Sequence, residues 1–170
     1  WMETQGLLRP GMDVLDLGCG IGRIAAALAP RCRTVLGLDV SAGMVAEARR
    51  RHAALPGVTF AQTDGQGLDA LPDQSFDLIV AVDSFPYIVQ ANTADRHISA
   101  AARILRPDGA LAVLNLSYRE DPAADQSDAQ AWATAHGLTV STAGTTPFIL
   151  WDGTAYVFLA APSPFGRGPG

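Results

Sequence analysis

The stretch "DVLDLGCGIGRIA", Asp13 to Ala25, decides the fold. An apolar run of strand length ends in three glycines, Gly18, Gly20 and Gly22, and a segment of helical period follows at once. Glycine adopts left-handed dihedrals and lets the backbone approach a ligand with no Cβ in between. The cluster therefore predicts a strand, a tight loop and a helix, with the loop facing a small molecule at the carboxyl end of the strand.

Outward from this stretch the same alternation continues. Apolar runs at 12–18, 34–40, 58–64, 76–82 and 110–117 read as strands. Between them lie helical segments: one ending near Pro30, one over 42–53 with Ser41 as its N-cap, and one over 94–105 stopped by Arg106-Pro107-Asp108-Gly109. A further helix runs through "AQAWATAHG" (129–137), where Gly137 is placed to cap its end. The remainder reads as β-structure with a hairpin turning at Asp152-Gly153. This order predicts an α/β fold, a mostly parallel sheet with helices on both faces and a C-terminal antiparallel hairpin. One domain is expected over 1–162 and a flexible tail over 163–170.

Composition narrows the function. The 170 residues are 48% hydrophobic, and no apolar segment or N-terminal basic-then-apolar layout suggests a membrane helix or signal peptide, so a cytoplasmic protein is expected. Net charge is −5, with arginine supplying all 12 basic residues; an excess of acid is a poor basis for gripping phosphates, so no nucleic-acid partner is expected. The run Arg49-Arg50-Arg51 closes a helix, where cations suit the dipole. Cys19 and Cys32 have neither disulfide nor metal-ligand spacing, and no metal is expected.

The dinucleotide fingerprint needs glycine at the sixth place counted from Gly18, and Arg23 stands there. Gly18, Gly20 and Gly22 form G-x-G-x-G instead, with Asp16 just ahead of it. Asp39 ends the second strand, seventeen residues after Gly22, and Asp64 ends the third. As a set, these residues resemble the first motifs of the class I S-adenosylmethionine-dependent methyltransferases, over about residues 10–118. The resemblance implies a Rossmann-like, doubly wound, seven-stranded sheet and S-adenosyl-L-methionine as cofactor, with S-adenosyl-L-homocysteine as product. It also implies a cofactor site. The backbone from Gly18 through Cys19 and Gly20 to Gly22 lies along the amino-acid part, and Asp16 holds the loop and faces the ammonium side. Asp39 accepts from the ribose hydroxyls. Met44 packs on adenine, Asp64 reads the adenine amino group, and Gly65 places a backbone N–H beside the ring. Val40 and Val82, at the ends of their strands, complete the set.

The loop after the fourth strand, "DSFPY" (83–87), stands beside the transferable methyl in that family and offers Asp83 and Tyr87 as acceptor-side candidates. Ser84-Phe85-Pro86-Tyr87 resembles the D/N-P-P-Y motif of amino-group methyltransferases but lacks the double proline. An apolar acceptor wall of Phe85, Pro86 and Tyr87 is the stronger expectation. His97 is a candidate general base. However, Ile98, Ala101, Ala102 and Leu105 define the buried stripe of its helix, so an exposed histidine at the stripe's edge is expected. His52 and His136 read as helix ends.

The expected function is methyl transfer to a small-molecule acceptor. The alternative is a module of this fold that binds cofactor without turnover, kept open by the absence of an assigned base and by the dozen residues ahead of the first strand, which reflect either a trimmed start or a missing lid.

Overall fold

In the computed structural model, which describes residues 1–151 and 153–162, the strand β1 (Asp13–Leu17) is apolar on both faces. Val14 enters one core cluster and Leu15 and Leu17 the other. The same division recurs on β4 (Phe76–Val82), with Leu78 and Val80 on one side and Ile79 and Ala81 on the other. Strands buried on both faces belong in the middle of a parallel sheet. β1 accordingly lies between β4 and β2 (Thr34–Asp39), and β2 carries β3 (Val58–Gln62) at the sheet edge.

With β5 (Leu105–Leu114), β6 (Thr139–Thr145) and β7 (Ala155–Leu159), the seven-stranded order is β3-β2-β1-β4-β5-β7-β6. The first five strands are parallel, and β7 runs antiparallel to both β5 and β6. Helices α1 (Arg23–Leu28) and α2 (Ala42–Arg51) bury Ala25, Leu28, Val45 and Ala48 on one face. On the other lie α3 (Phe85–Gln90), α4 (Ala94–Ile104) and α5 (Pro122–Ala135), through Phe85, Ile98, Ile104, Ala129 and Ala133. The expected α/β, doubly wound, mostly parallel seven-stranded sheet with its C-terminal antiparallel pair is the fold observed.

Four local readings change. α3 forms where only a loop was expected; Pro86 suits its first turn, where a missing N–H leaves no bond unmade. α5 starts at Pro122, several residues early, because the Asp121 carboxylate accepts from Ala124 N–H and caps it. β5 starts at Leu105 and carries the expected turn as an irregularity in its pairing with β4, with Asp108 left-handed at φ 63°. The β6–β7 connection spans 146–154 rather than two residues at Asp152-Gly153; Asp152 itself, like the tail 163–170, lies outside the described residues. No helix among the described residues is long and apolar enough to cross a membrane.

At the amino end of the sheet, Asp13 accepts from Arg33, Thr34 and Arg106, and Arg106 also reaches Asp77. The Arg33 guanidinium in particular holds the Asp13 carboxyl far below the usual carboxylate range. This network clamps β1, β2, β4 and β5 at one end and leaves the opposite end open. There, where β1 sends the chain to β2 on one side and faces β4 on the other, ligands of doubly wound sheets bind.

Candidate active site

The glycine loop hangs from β2: the amides of Gly18 and Cys19 both donate to Leu38 O, at 2.8 and 2.9 Å. At Gly18 the backbone passes so close to the next strand's loop that an added Cβ would stand 2.2 Å from Ser84 Cβ. Gly20 is the opposite case. Its φ is +53° and nothing lies within 4 Å of where a Cβ would stand, so the loop presents bare backbone to open space. Gly22 caps α1 and packs against His52 and Phe60, while His52 Nε2 lies 3.1 Å from Ile21 O and braces the loop from outside.

Asp39 ties this loop to α2. Its Oδ2 accepts from Gly20 N–H at 2.8 Å and its Oδ1 from Ser41 N–H at 2.9 Å, and each oxygen keeps a further lone pair for a ligand. Asp16 lies beneath, 1% exposed, accepting from Ala25 N–H at 3.0 Å. Burial, reinforced by the Asp39 charge and opposed by that N–H, pushes its carboxyl up to about 7. Burial likewise pushes the Cys19 thiol up to about 12, so this cysteine is a neutral packing group.

A cavity of about 550 Å3 opens over these strand ends, within the range of small-molecule sites. Gly18, Asp39 and Val40 line it from the first two strands, Asp64 and Gly65 from the third, and Asp83, Ser84 and Tyr87 from the fourth. Asp16, Cys19, Gly20, Gly22 and Val82 stand behind or beside this lining. Met44 does too: it is 46% exposed on α2, and the apolar side chain that reaches the cavity from this edge is Val40.

At the β4 end, Asp83 is left-handed at φ 55° and its carboxylate accepts from Asn115 Nδ2. Ser84 Oγ donates to Leu17 O at 2.5 Å, joining the β4 loop to β1. The expected wall of Phe85, Pro86 and Tyr87 is not formed as read. Phe85 is fully buried against Trp132, Pro86 is buried beside it, and Tyr87 alone faces out. A residue missed in the sequence packs against Tyr87. Tyr118 meets Tyr87 edge to face at 5.8 Å and 86°, and its hydroxyl lies 3.4 Å from Asp83 O. Its position just past the end of β5 was the available signal.

His97 is a second correction. It is 3% exposed rather than at an exposed edge, it lines the cavity, and its Nδ1 lies 2.9 Å from Thr93 O. Burial, aided by Arg96 and opposed by the Thr93 carbonyl, holds its pKa below the usual imidazole value. Arg49–Arg51 sit in the last turn of α2 as expected, Arg49 bonded to Phe60 O and Arg50 and Arg51 to Glu47.

The residues present fit S-adenosylmethionine. Bare backbone at Gly20 leaves room for an extended chain, Asp39 keeps free lone pairs for a diol, and Val40, Asp64 and Gly65 join an apolar surface to polar groups suited to a purine edge.

Comparison with known proteins agrees with the fold. The methyltransferase-domain family matches residues 14–109. A trans-aconitate 2-methyltransferase from Methylobacterium nodulans is 36% identical over 79% of this chain and 45% of its own length. One from Deinococcus radiodurans is 40% identical over 65% of this chain and 41% of its own. A SAM-dependent methyltransferase structure from Methanosarcina mazei shares the fold, with a TM-score of 0.71, 15% identity, and 96% of this chain and 99% of that one covered. The chain spans less than half the length of the two curated relatives. By family, fold and motif, it belongs to the class I S-adenosylmethionine-dependent methyltransferases.

Proposed function

We propose that this protein transfers a methyl group from S-adenosylmethionine to a small-molecule acceptor. The observation that carries the reading is the single cavity in which the glycine loop, Asp39 and the Asp64-Gly65 turn meet at the open end of the sheet. When bound, S-adenosylmethionine supplies an electrophilic methyl group on a sulfonium centre. The Gly18–Gly22 backbone would hold its amino-acid portion, Asp39 its ribose hydroxyls, and Val40, Asp64 and Gly65 its adenine.

Methyl transfer consumes a positive charge rather than creating a large new one, so alignment is the main service asked of the protein. In favourable intramolecular systems alignment is worth about 7–11 kcal/mol. Tyr87, Tyr118 and Asp83 provide that service on the acceptor side: two rings held edge to face give a fixed wall, and the Asp83 carboxylate, steered by Asn115, orients a polar group of the acceptor. The printed names of the trans-aconitate relatives support a small organic acceptor, and net charge −5 with an engaged arginine run supports no nucleic-acid partner.

The test is transfer of radiolabelled methyl from S-adenosylmethionine into a fractionated metabolite extract. Label in a low-molecular-weight product that disappears in Tyr87→Ala supports the reading. Cofactor binding with no labelled product from any fraction contradicts turnover.

A further inference from the structure

Among the residues that line the cavity, the reading above gives no role to His97, which carries a ring nitrogen, Nε2. The first turn of α4 lies directly over the loop that follows β3. At Gly67 an added Cβ would stand 2.9 Å from Arg96 Nε, and Arg96 is ion-paired with Asp69 on the same loop. This contact brings the next residue, His97, to the cavity beside Asp64, Gly65 and Thr93. Asp83 and Tyr87 line the cavity from the chain that follows β4.

The tautomer follows from the partner. A carbonyl oxygen only accepts, so the 2.9 Å contact to Thr93 O makes Nδ1 the donor, and Nε2 is left with a lone pair. Among the described residues no donor meets that lone pair, and no buried side-chain nitrogen or oxygen is unpartnered, so Nε2 is in contact with the cavity. The ring's burial keeps it in the neutral form near pH 7. A neutral imidazole nitrogen of this kind asks its ligand for an N–H.

Resting on the cofactor assignment above, we propose that His97 Nε2 accepts a hydrogen bond from the exocyclic amino group of the cofactor's adenine. His97 then shares that group's two hydrogens with Asp64 and determines specificity for adenine. Two acceptors, one carboxylate and one imidazole, match an amine that carries two N–H bonds. A 6-oxo purine has no N–H at that position and would face both acceptors with its own lone pairs, and sites built around such a donor reject analogues that lack it.

The experiment is calorimetric titration of the wild type, His97→Leu and His97→Gln with S-adenosylhomocysteine and with its 6-oxo analogue, S-inosylhomocysteine. Wild type should favour the adenine ligand by about tenfold or more, and His97→Leu should weaken that ligand by about fivefold to tenfold and narrow the preference. His97→Gln, whose amide oxygen is an acceptor, should keep more of the preference than His97→Leu, and it carries the test should the leucine variant not fold. An unchanged preference in the folded variants overturns the proposal alone. A wild type that binds neither ligand overturns the cofactor assignment and this proposal with it.

Discussion

Asp39 Oδ2 and the Gly20 amide are joined by a 2.8 Å hydrogen bond, so the acid at the end of β2 and the middle of the glycine loop are one construction. Asp39→Ala should therefore loosen the loop and remove the ribose acceptor together. Hydrogen bonds to a charged group are worth about 1.5–3 kcal/mol, which is about tenfold to a hundredfold in cofactor affinity. Asp39→Asn, which keeps one acceptor oxygen, should lose less. Wild-type affinity for S-adenosylhomocysteine in the alanine variant would remove Asp39 from the site.

Gly18 and Gly20 should answer substitution differently. In Gly20→Val the side chain enters open space, so the fold survives a left-handed penalty of at least about 1–2 kcal/mol while cofactor binding is lost. In Gly18→Ala the new methyl collides with Ser84 Cβ, so the melting temperature falls more steeply and binding falls with it. Thermal melts beside ligand titrations separate the two. A Gly20→Val protein with wild-type affinity would mean that the loop does not face the cofactor.

The strands, Asp39 and Asp64 are legible in the sequence because each strand is a short apolar run that ends in a polar or glycine-bearing turn. α3 is not, since "FPYIVQ" continues the apolar run of β4 almost without a break and its proline reads as a loop signal. His97 was misread for a different reason. The stripe of its own helix puts it at an edge, but that helix also meets the loop carrying Gly67 and Asp69, some thirty positions earlier in the chain, through the neighbouring Arg96, and His97 is buried. Phe85 and Tyr87 are two residues apart, so helix formation sends one into the core and the other to the cavity, whereas a loop reading treats them alike.

Asp16 gives a pH signature. Its folded-state pKa of about 7 stands above the ordinary 3.8, so the folded protein keeps a proton that the unfolded chain releases between those values. Its contribution to stability is present on the acid side and is lost as pH rises through that window, levelling off above about 7. Asp16→Asn carries no charge and still offers an acceptor to Ala25 N–H. Its melting temperature relative to wild type should rise between about pH 5 and about pH 8. A constant difference across that range would contradict the assignment.

Tyr87 and Tyr118 should affect turnover without affecting the cofactor. With an acceptor in hand, Tyr87→Ala should lower kcat/KM by about tenfold or more through lost alignment, with S-adenosylhomocysteine affinity unchanged. Tyr87→Phe, which keeps the edge-to-face pair, should stay near wild type. Unchanged kcat/KM in Tyr87→Ala would take this wall out of the acceptor site.

The most direct test of the central claim is calorimetric titration of the purified wild-type protein with S-adenosylhomocysteine and, in parallel, with a nicotinamide dinucleotide. The glycine spacing, the Asp39 link to Gly20 and the cavity over the strand ends predict saturable one-to-one binding of S-adenosylhomocysteine, competed by S-adenosylmethionine, and no heat from the dinucleotide. Absence of S-adenosylhomocysteine binding, or saturable binding of the dinucleotide in the same cavity, would contradict it.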